Sequence, residues 1–109
     1  MFNKVMLIGN LTRDVEIKFT QSGTAISKTS IAVTQKFREN KEEVLFIDLT
    51  FFGSIAENAH KYLKKGSKIH IEGKLLFEQW ITPNGEKRHK HSITVQSIEM
   101  LDTKQSNVS

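Results

Sequence analysis

The stretch that decides the fold is EEVLFIDLTFFGSIAENAHKYLKKGS, which runs from Glu42 to Ser67. Side chains of a β-strand alternate between its two faces. In the first part of this stretch, apolar residues alternate with a mixed set of aromatic and polar residues. The face predicted to line the core carries Leu45, Ile47, Leu49 and Phe51. The opposite face carries Val44, Phe46, Asp48, Thr50 and Phe52. Rings beside a carboxylate and a hydroxyl suit neither a packed core nor a solvated surface, so we expect the function to lie on that second face.

A helix is predicted directly after this strand, because apolar side chains from Ile55 to Leu63 recur at the spacing of one helix face. Ser54 and Glu57 match a capping box, in which the hydroxyl accepts a free backbone N–H and the carboxylate reaches back. Gly66 lies where a left-handed cap would end the helix. The stretch therefore predicts a strand with outward rings, followed by a single helix of about three turns.

Five further segments are predicted to be strands from their alternation and their strand propensity. They are Val5–Ile8, Val15–Phe19, Ala25–Phe37, Lys68–Thr82 and His89–Leu101. In the last segment the apolar parity slips between Val95 and Ile98, as a β-bulge allows. On the segment before it, Gly73 allows the bend that a small barrel needs, and Trp80 points away from the core face. That core face is predicted to hold Ile69, Ile71, Leu75, Phe77 and Ile81.

Although six segments are strand candidates, the fold predicted from them is all-β, the five-stranded OB-fold barrel, in the order β-β-β-α-β-β with one short helix between strands 3 and 4. Residues 1–102 are expected to form this one domain, and residues 103–109 a short polar C-terminal tail. The strand Val5–Ile8 is apolar on both faces, which two arrangements explain: a central barrel strand or a subunit interface. The sequence leaves that choice open.

The composition excludes several classes of protein. The 109 residues contain no cysteine, which rules out disulfide scaffolds, thiol nucleophiles and thiolate metal sites and fits a reducing cytosol. No apolar run is long enough to span a membrane. The net charge of +4 favours a polyanionic partner without deciding for one. We therefore expect a cytoplasmic protein without a membrane partner.

Catalysis finds little support in the sequence. Asp48 and Glu78 are each alone on their strand faces, and the chain has no nucleophile elbow, glycine-rich phosphate loop or HExxH motif. His89 and His91 lie on one side of a strand, but a metal ion needs further ligands and none is near. We predict that the protein is not an enzyme and holds neither a metal nor another cofactor.

Binding of a nucleic acid is better supported than catalysis. Phe46, Phe52 and Trp80 are all predicted to point outward, and Phe37 lies on the loop that precedes Phe46. Exposed rings stack on bases of any sequence, although a ring on a charged loop, such as Phe37, also serves as a loop anchor. Cations are needed between the rings to contact phosphates. The basic residues chosen as candidates are Lys4, Lys18, Lys36, Arg38, Lys64, Lys65 and Lys74.

Three segments together resemble the bacterial single-stranded DNA-binding protein (SSB) family. They are GNLTRDVEIKF from Gly9, FIDLTFFGSIAENAHKYLKKGS from Phe46, and IEGKL from Ile71 followed by Trp80. The resemblance covers residues 1–101 and implies an OB fold that binds and protects single-stranded DNA, without reading its sequence, in replication, recombination and repair. It also implies a homotetramer, a dimer of dimers, that pairs through the first strand. The residues of that interface would be Val5, Met6, Leu7 and Ile8.

The same resemblance assigns roles to individual side chains. It places the stacking aromatics of the family at Phe37, Phe46, Phe52 and Trp80. It matches Lys64 and Lys65 to a basic pair that contacts phosphates. Many members have tryptophan where this chain has Phe37 and Phe46, and a smaller ring predicts weaker stacking at each site.

The chain departs from the family pattern in three places. Glu78 and Gln79 precede Trp80 where members often carry cations, and Asp48 stands where a cation is frequent, so the electrostatic track is thinner. The loop over residues 38–43 is short. Members usually end in a long tail whose acidic tip recruits replication and repair proteins, whereas this sequence reaches Ser109 without one, either as a shortened chain or as a tail-less variant. Recruitment of those proteins is therefore left open.

Two other functions fit the same pattern of residues. One is a protein-interaction module on the same fold, as in replication restart, whose aromatic face would meet a protein. The other is an RNA chaperone, since stacking does not distinguish the sugars and only contacts to the 2′-hydroxyl do. Reading of a duplex is disfavoured because the single predicted helix has only a weakly basic outer face.

Overall fold

The computed structural model describes residues 1–36 and 38–101, with the side chain of Arg38 excepted. The predicted tail, residues 103–109, lies outside this part of the chain. The strands are β1 (Val5–Leu11), β2 (Glu16–Phe19), β3 (Ala25–Lys36), β4 (Glu42–Phe52), β5 (Lys68–Ile81) and β6 (Lys87–Met100). Helix α1 (Ser54–Tyr62) follows β4, and a short 3-10 turn, Arg38–Asn40, precedes that strand. Every segment predicted to be a strand forms one.

Five of the strands close into a barrel. They are hydrogen-bonded in the order β1-β5-β6-β4-β3, and β3 returns to β1 through Asn10 opposite Ala32 and Leu11 opposite Ile31. The neighbours are antiparallel except β4 and β6, which pair in parallel. Strand β2 pairs with β3 and stands outside the ring. The predicted five-stranded all-β barrel with one short helix is confirmed: α1 follows the third strand of the ring, which is the fourth strand of the chain.

The core is built from the barrel interior and one face of the helix. Leu49 and Phe51 of β4 are fully buried there, as their parity predicts. Isoleucines of the other ring strands surround them, and Ala56 and Ala59 bring α1 against the same core. The main buried isoleucines are Ile31, Ile69, Ile71 and Ile93. The face of β4 predicted to line the core is therefore confirmed for its second half.

The core does not extend along the full length of the long strands. Leu45, on the same face of β4 as Leu49, is exposed, because the first residues of β4 pair with β3 alone. The far half of β5 likewise pairs with β6 alone and projects from the barrel as a hairpin. The prediction that Leu75, Phe77 and Ile81 continue the core face is therefore wrong, since all three are exposed on that hairpin.

The predicted bulge in the last strand is confirmed. Glu72 pairs with Ser97 and Gly73 pairs with Val95, so Gln96 is the extra residue on β6. At this point the two strands approach closely: a Cβ on Gly73 would lie 2.2 Å from the carbonyl oxygen of Thr94. A glycine is therefore required here by the contact between backbones.

The helix begins differently from the prediction. Gly53 is the N-cap residue, with φ of 67°, and Ser54 is the first helical residue. No side chain caps the N-terminus, so the capping box of Ser54 and Glu57 does not form. The backbone N–H of Glu57 instead donates to the carbonyl oxygen of Gly53 at 3.1 Å. A glycine with positive φ allows the sharp turn from β4 into the helix.

The helix also ends before the predicted glycine. Its last residue is Tyr62, and Leu63 is already extended. Gly66, with φ of 94°, lies in the turn that follows and donates its N–H to the carbonyl oxygen of Leu11 at 2.8 Å. It therefore ties this turn to β1 and does not cap the helix. Neither α1 nor the 3-10 turn, the helices of the described chain, is long and apolar enough to cross a membrane.

Candidate nucleic-acid interface

The outward face of β3 and β4 carries two of the predicted rings. Phe46 is 68% exposed and lies opposite Ala32, and Phe52 is 46% exposed and lies opposite Ile26. Because β4 alternates without interruption, Asp48 and Thr50 lie between the two rings on the same face. The structure thus places Phe46 and Phe52 where the parity of the sequence predicts them.

A groove of about 360 Å³ lies on this outer surface and has an apolar floor and a charged rim. It crosses several strands, because its lining residues come from β2, β3, β4, β5 and β6. The apolar lining residues are Ile26, Phe52 and Leu76. The polar and charged lining residues are Glu16, Lys18, Lys28, Thr50, Glu78 and Thr94. An apolar floor with a few polar groups converging on it is typical of a binding site, and it joins Phe52 to the predicted cation Lys18.

Lys28 is a groove residue that the sequence reasoning missed. It pairs with Glu16 of β2 and with Thr50 of β4, and all three line the groove. Its parity on β3 could have identified it, since it alternates with core residues such as Ser27 and Thr29, both fully buried. The alternation was hard to recognise in the sequence, because the core face of this part of β3 carries serine and threonine in place of apolar residues.

The remaining ring, Trp80, stands on the hairpin of β5 and β6. It is 46% exposed and lies opposite Arg88. A shallow depression beside it is lined by Gln79, Trp80, Ile81, Lys87 and Arg88. The Nζ of Lys90 lies 6.0 Å from the centroid of the indole ring, at the limit of a cation–π contact. The cations around Trp80 thus come from the neighbouring strand, although the residues that precede Trp80 on its own strand, Glu78 and Gln79, carry none.

The two carboxylates expected to stand alone on their faces are joined through β6. Lys90 Nζ donates to Asp48 Oδ2 at 2.8 Å, and Ser92 Oγ donates to Glu78 Oε2 at 2.5 Å. Lys90 and Ser92 are two residues apart on the strand that lies between β4 and β5. The expectation that Asp48 and Glu78 are isolated is therefore wrong, since both belong to one continuous outer surface.

The other predicted cations divide into two groups. Lys36 and Lys74 extend the outer surface at its margins: Lys36 has the outward parity of Lys28 on β3, and Lys74 lies opposite Thr94. Lys4 lies at β1 and forms an ion pair of 3.0 Å with Glu72.

Lys64 and Lys65 lie in the turn after α1 and do not line the groove. The backbone N–H of Lys65 donates to Asp14 Oδ1 at 2.7 Å. Phe37 and the side chain of Arg38 lie outside the described part of the chain. The nucleic-acid role of every residue in the predicted set stays a prediction.

The predicted interface strand β1 alternates in burial. Val5 and Leu7 pack against the core of their own protomer, whereas Met6 and Ile8 are 56% and 50% exposed. The two apolar faces seen in the sequence therefore have different surroundings. The subunit contact stays a prediction, and within it Met6 and Ile8 are the side chains available to a partner.

The predicted absence of a metal site rests on the sequence. His89 and His91 pack on Phe77, with ring centroids 5.4 and 5.2 Å apart. Among residues 1–36 and 38–101, no group of three or more His, Cys, Asp or Glu side chains is arranged to hold a metal ion. The two histidines thus belong to the exposed side of the β5–β6 hairpin.

A closed five-stranded barrel with one helix, bearing rings and cations on its outer sheet, defines an OB-fold protein. The model of the single-strand binding protein family matches residues 2–101. The chain belongs to this family, which confirms the resemblance found in its sequence motifs. Membership of a family of non-enzymatic DNA-binding proteins also confirms the prediction that the chain is not an enzyme.

Individual relatives agree with this assignment. The chain is 51% identical to the single-stranded DNA-binding protein of Wolinella succinogenes, over 95% of this chain and 67% of the relative. It is 49% identical to that of Helicobacter hepaticus, over 97% of this chain and 65% of the relative. The chain thus spans about two thirds of the length of these relatives. A Plasmodium falciparum SSB, solved in complex with ssDNA, superposes with a TM-score of 0.88 at 25% identity, covering 94% of this chain and 96% of that one.

Proposed function

We propose that this chain binds single-stranded DNA without reading its sequence, as the relatives' names and the ssDNA complex of the Plasmodium falciparum protein suggest. The observation that carries the proposal is the outer surface of β3 and β4, where the exposed Phe46 shares a strand face with Phe52, and Phe52 lines a groove together with Lys18 and Lys28. Unpaired bases expose flat faces that stack on such rings, each stack contributing about 1–3 kcal/mol.

The phosphates of the strand would be neutralised by the cations of the same surface. Lys18 and Lys28 form no ion pair with the described residues, so their ammonium groups are available to phosphate oxygens. On the hairpin, Lys87 and Arg88 line the depression beside Trp80; Arg88 is paired with Glu86 at 2.6 Å, whereas Lys87 forms no ion pair with the described residues. Along a single strand, bases that can stack on rings alternate with phosphates that can contact cations. In a duplex the bases are already stacked on each other, so we prefer a single strand as the ligand.

Titration with oligo-dT tests the proposal. Trp80 is the single tryptophan of the chain, so stacking at this site should quench the intrinsic fluorescence, and the affinity should fall as salt rises, with a log–log slope of about −0.7 for each phosphate neutralised. Unchanged fluorescence together with no shift on a gel would contradict DNA binding and favour a protein-interaction module. Tighter binding of rU than of dT at equal length would favour an RNA chaperone.

Phe46→Ala provides the residue-level test. Phe46 is largely exposed, so its loss should weaken dT binding by about 1–3 kcal/mol while the thermal unfolding midpoint stays nearly unchanged. Phe19→Ala is the matched control, since Phe19 is a similarly exposed phenylalanine whose parity on β2 is opposite to that of the groove residues Glu16 and Lys18. Equal losses of affinity in the two variants would contradict the proposed stacking role of Phe46.

We also propose that the protein assembles as a homotetramer, a dimer of dimers, through β1. The support is the family resemblance together with the exposed apolar pair Met6 and Ile8, which water would otherwise solvate. Light scattering should give the mass of four chains for the wild type and a smaller mass for Ile8→Lys. A wild-type mass of one chain, 12.5 kDa, would overturn this assembly.

The cellular role that we propose follows from the binding. A protein that coats single strands without sequence preference protects them during replication, recombination and repair, and such a protein acts in the cytoplasm at the nucleoid. A fluorescent fusion should therefore form foci on the nucleoid whose number rises after DNA damage. A uniform signal in undamaged and damaged cells would contradict this role.

A further inference from the structure

Asp48 occupies an unexpected place in the surface proposed to take DNA. It lies on the outward face of β4, two residues after Phe46 and two before Thr50 of the groove. A carboxylate at this place repels phosphates and would weaken DNA binding unless its charge is compensated. The compensation comes from Lys90, whose Nζ lies 2.8 Å from Asp48 Oδ2.

This ion pair differs from the others in what it joins. Of the other charged contacts in the described chain, Arg88–Glu86 links close neighbours at a hairpin turn, Lys4–Glu72 lies beside β1, and His70–Glu99 joins β5 to β6 and is an ion pair only when the histidine is protonated. Asp48 and Lys90 are 42 residues apart in sequence and join β4 to β6. The pair therefore connects the strand that carries Phe46 and Phe52 to the hairpin that carries Trp80.

The charge of Lys90 is neutralised within the protein by Asp48. A carboxylate oxygen takes the position relative to the ammonium group that a phosphate oxygen would take, and both form charge-assisted hydrogen bonds of similar length. The pair as a whole is neutral, so a phosphate that approaches it gains little attraction. A phosphate bound at this neutral pair would also release fewer of the counterions condensed on the DNA than a phosphate bound by an unpaired lysine.

Both side chains of the pair remain within reach of a ligand. They are partly exposed, and Lys90 also lies 6.0 Å from the ring centroid of Trp80. A lysine ammonium group has three hydrogens to donate, and one of them serves Asp48. Lys90 is thus placed to contact a phosphate beside a base stacked on Trp80, once the carboxylate no longer holds it.

We propose, on the basis of the DNA binding proposed above, that Asp48 is an internal competitor for phosphate that withholds Lys90 from the DNA. Asp48 thereby lowers both the affinity for single strands and its dependence on salt, and it speeds the release of the strand. The residue determines how tightly the surface binds and contributes no contact of its own.

Asp48→Asn tests this proposal, because it removes the charge and keeps the shape. The log–log slope of dT affinity against salt should become steeper by about 0.7, which corresponds to one additional phosphate contact. The affinity should rise at low salt, and the gain should shrink about 2.6-fold as salt rises from about 50 to 200 mM. Dissociation of dT should be slower in the variant.

The same substitution in a Lys90→Gln background separates release of Lys90 from a general change in charge. If Asp48 acts by holding Lys90, Asp48→Asn should leave the slope nearly unchanged when Lys90 is absent. Equal changes in both backgrounds would overturn the proposal and show a general charge effect. Glu57→Gln, which removes an exposed carboxylate on α1, is the matched control and should leave the slope unchanged.

The outcomes for the function and for Asp48 are distinguishable. If wild-type protein binds dT and Asp48→Asn has the wild-type slope and affinity, the proposal for Asp48 fails and DNA binding stands. If neither protein binds dT, both proposals fail together. Circular dichroism of each variant shows whether it is folded, and Asp48→Ser provides a second uncharged variant with the same expected slope should the asparagine variant unfold.

Discussion

The two halves of β4 follow one alternation and end in different surroundings. In the second half, Leu49 and Phe51 are fully buried and Phe52 is turned outward. In the first half both faces are exposed, with Leu45 on one side and Phe46 on the other. Parity therefore decides which residues share a face, and the neighbouring strands decide whether that face is buried.

The cause of the difference is the length of the pairing. Strand β4 is flanked by β3 on one side and by β6 on the other only over Asp48–Thr50, and before that point it pairs with β3 alone. A two-stranded hairpin has no barrel interior to bury its side chains. The barrel half of β4 contributes to the core, and the hairpin half leaves side chains on both of its faces exposed.

The largest expected effect comes from the adjacent phenylalanines at the end of β4. Phe51→Ala should lower the free energy of unfolding by about 3–5 kcal/mol, because it empties part of a closed core. Phe52→Ala should lower it by less than about 1 kcal/mol, since Phe52 is half-exposed. Urea unfolding followed by circular dichroism measures both. Similar losses in the two variants would show that the faces of β4 are not distinct.

The next effect concerns the point where β5 leaves the barrel to become a hairpin. Gly73→Ala would bring a Cβ to 2.2 Å from the carbonyl oxygen of Thr94, so the backbones must separate. We expect a loss of about 1–3 kcal/mol in the free energy of unfolding, measured by urea unfolding. Ser97→Ala, an exposed neighbour across the bulge, is the control. A stable Gly73→Ala protein would show that the bulge absorbs the added methyl group.

The barrel half of the molecule was predictable from sequence to a large extent. The alternation of Leu49, Phe51 and Phe52 gave their faces, and the slip after Val95 gave the bulge on β6. These features depend on local periodicity, which a sequence records directly. The helix termini were less predictable. Ser54 and Glu57 match a capping box, but Gly53 takes the N-cap position, and the capping-box motif does not specify the φ angle of Gly53.

The site was predictable in its rings and not in its charges. Phe46, Phe52 and Trp80 are exposed as predicted, because parity turned Phe52 away from the barrel core and the hairpin segments that carry Phe46 and Trp80 have no core to bury them. The pairing of Asp48 with Lys90 joins residues 42 positions apart, and it depends on β6 lying between β4 and β5. No local pattern contains the order of strands in a sheet, so the partners of charged side chains had to come from the structure.

A smaller effect is expected from the groove cation that lies on the barrel half. Lys28→Gln should weaken dT binding by about threefold at low salt and reduce the log–log slope by about 0.7, because one phosphate contact is lost. The control is Lys61→Gln, which removes the same charge from α1, away from the groove. Fluorescence titration at several salt concentrations measures both. Equal reductions of slope in the two variants would mean that net charge, and not the groove, governs binding.

The smallest expected effect lies on the projecting half of β4. Leu45→Ala should lower the free energy of unfolding by less than about 1 kcal/mol, because Leu45 is exposed in the single chain. Its matched partner is Leu49→Ala, the same substitution on the same face in the barrel, with an expected loss of about 2–5 kcal/mol. The two variants differ in their flanking strands and not in their chemistry.

The dependence of that small effect on protein concentration sharpens the comparison further. A loss at Leu45 that stays below about 1 kcal/mol at every concentration means that the hairpin remains solvated or is reserved for DNA. A larger loss that grows with protein concentration means that another copy of the chain covers Leu45, since assembly adds its free energy to the stability of the assembled state. Urea unfolding at two widely separated protein concentrations distinguishes these results, and the second would extend the proposed subunit contact from β1 to the hairpin half of β4.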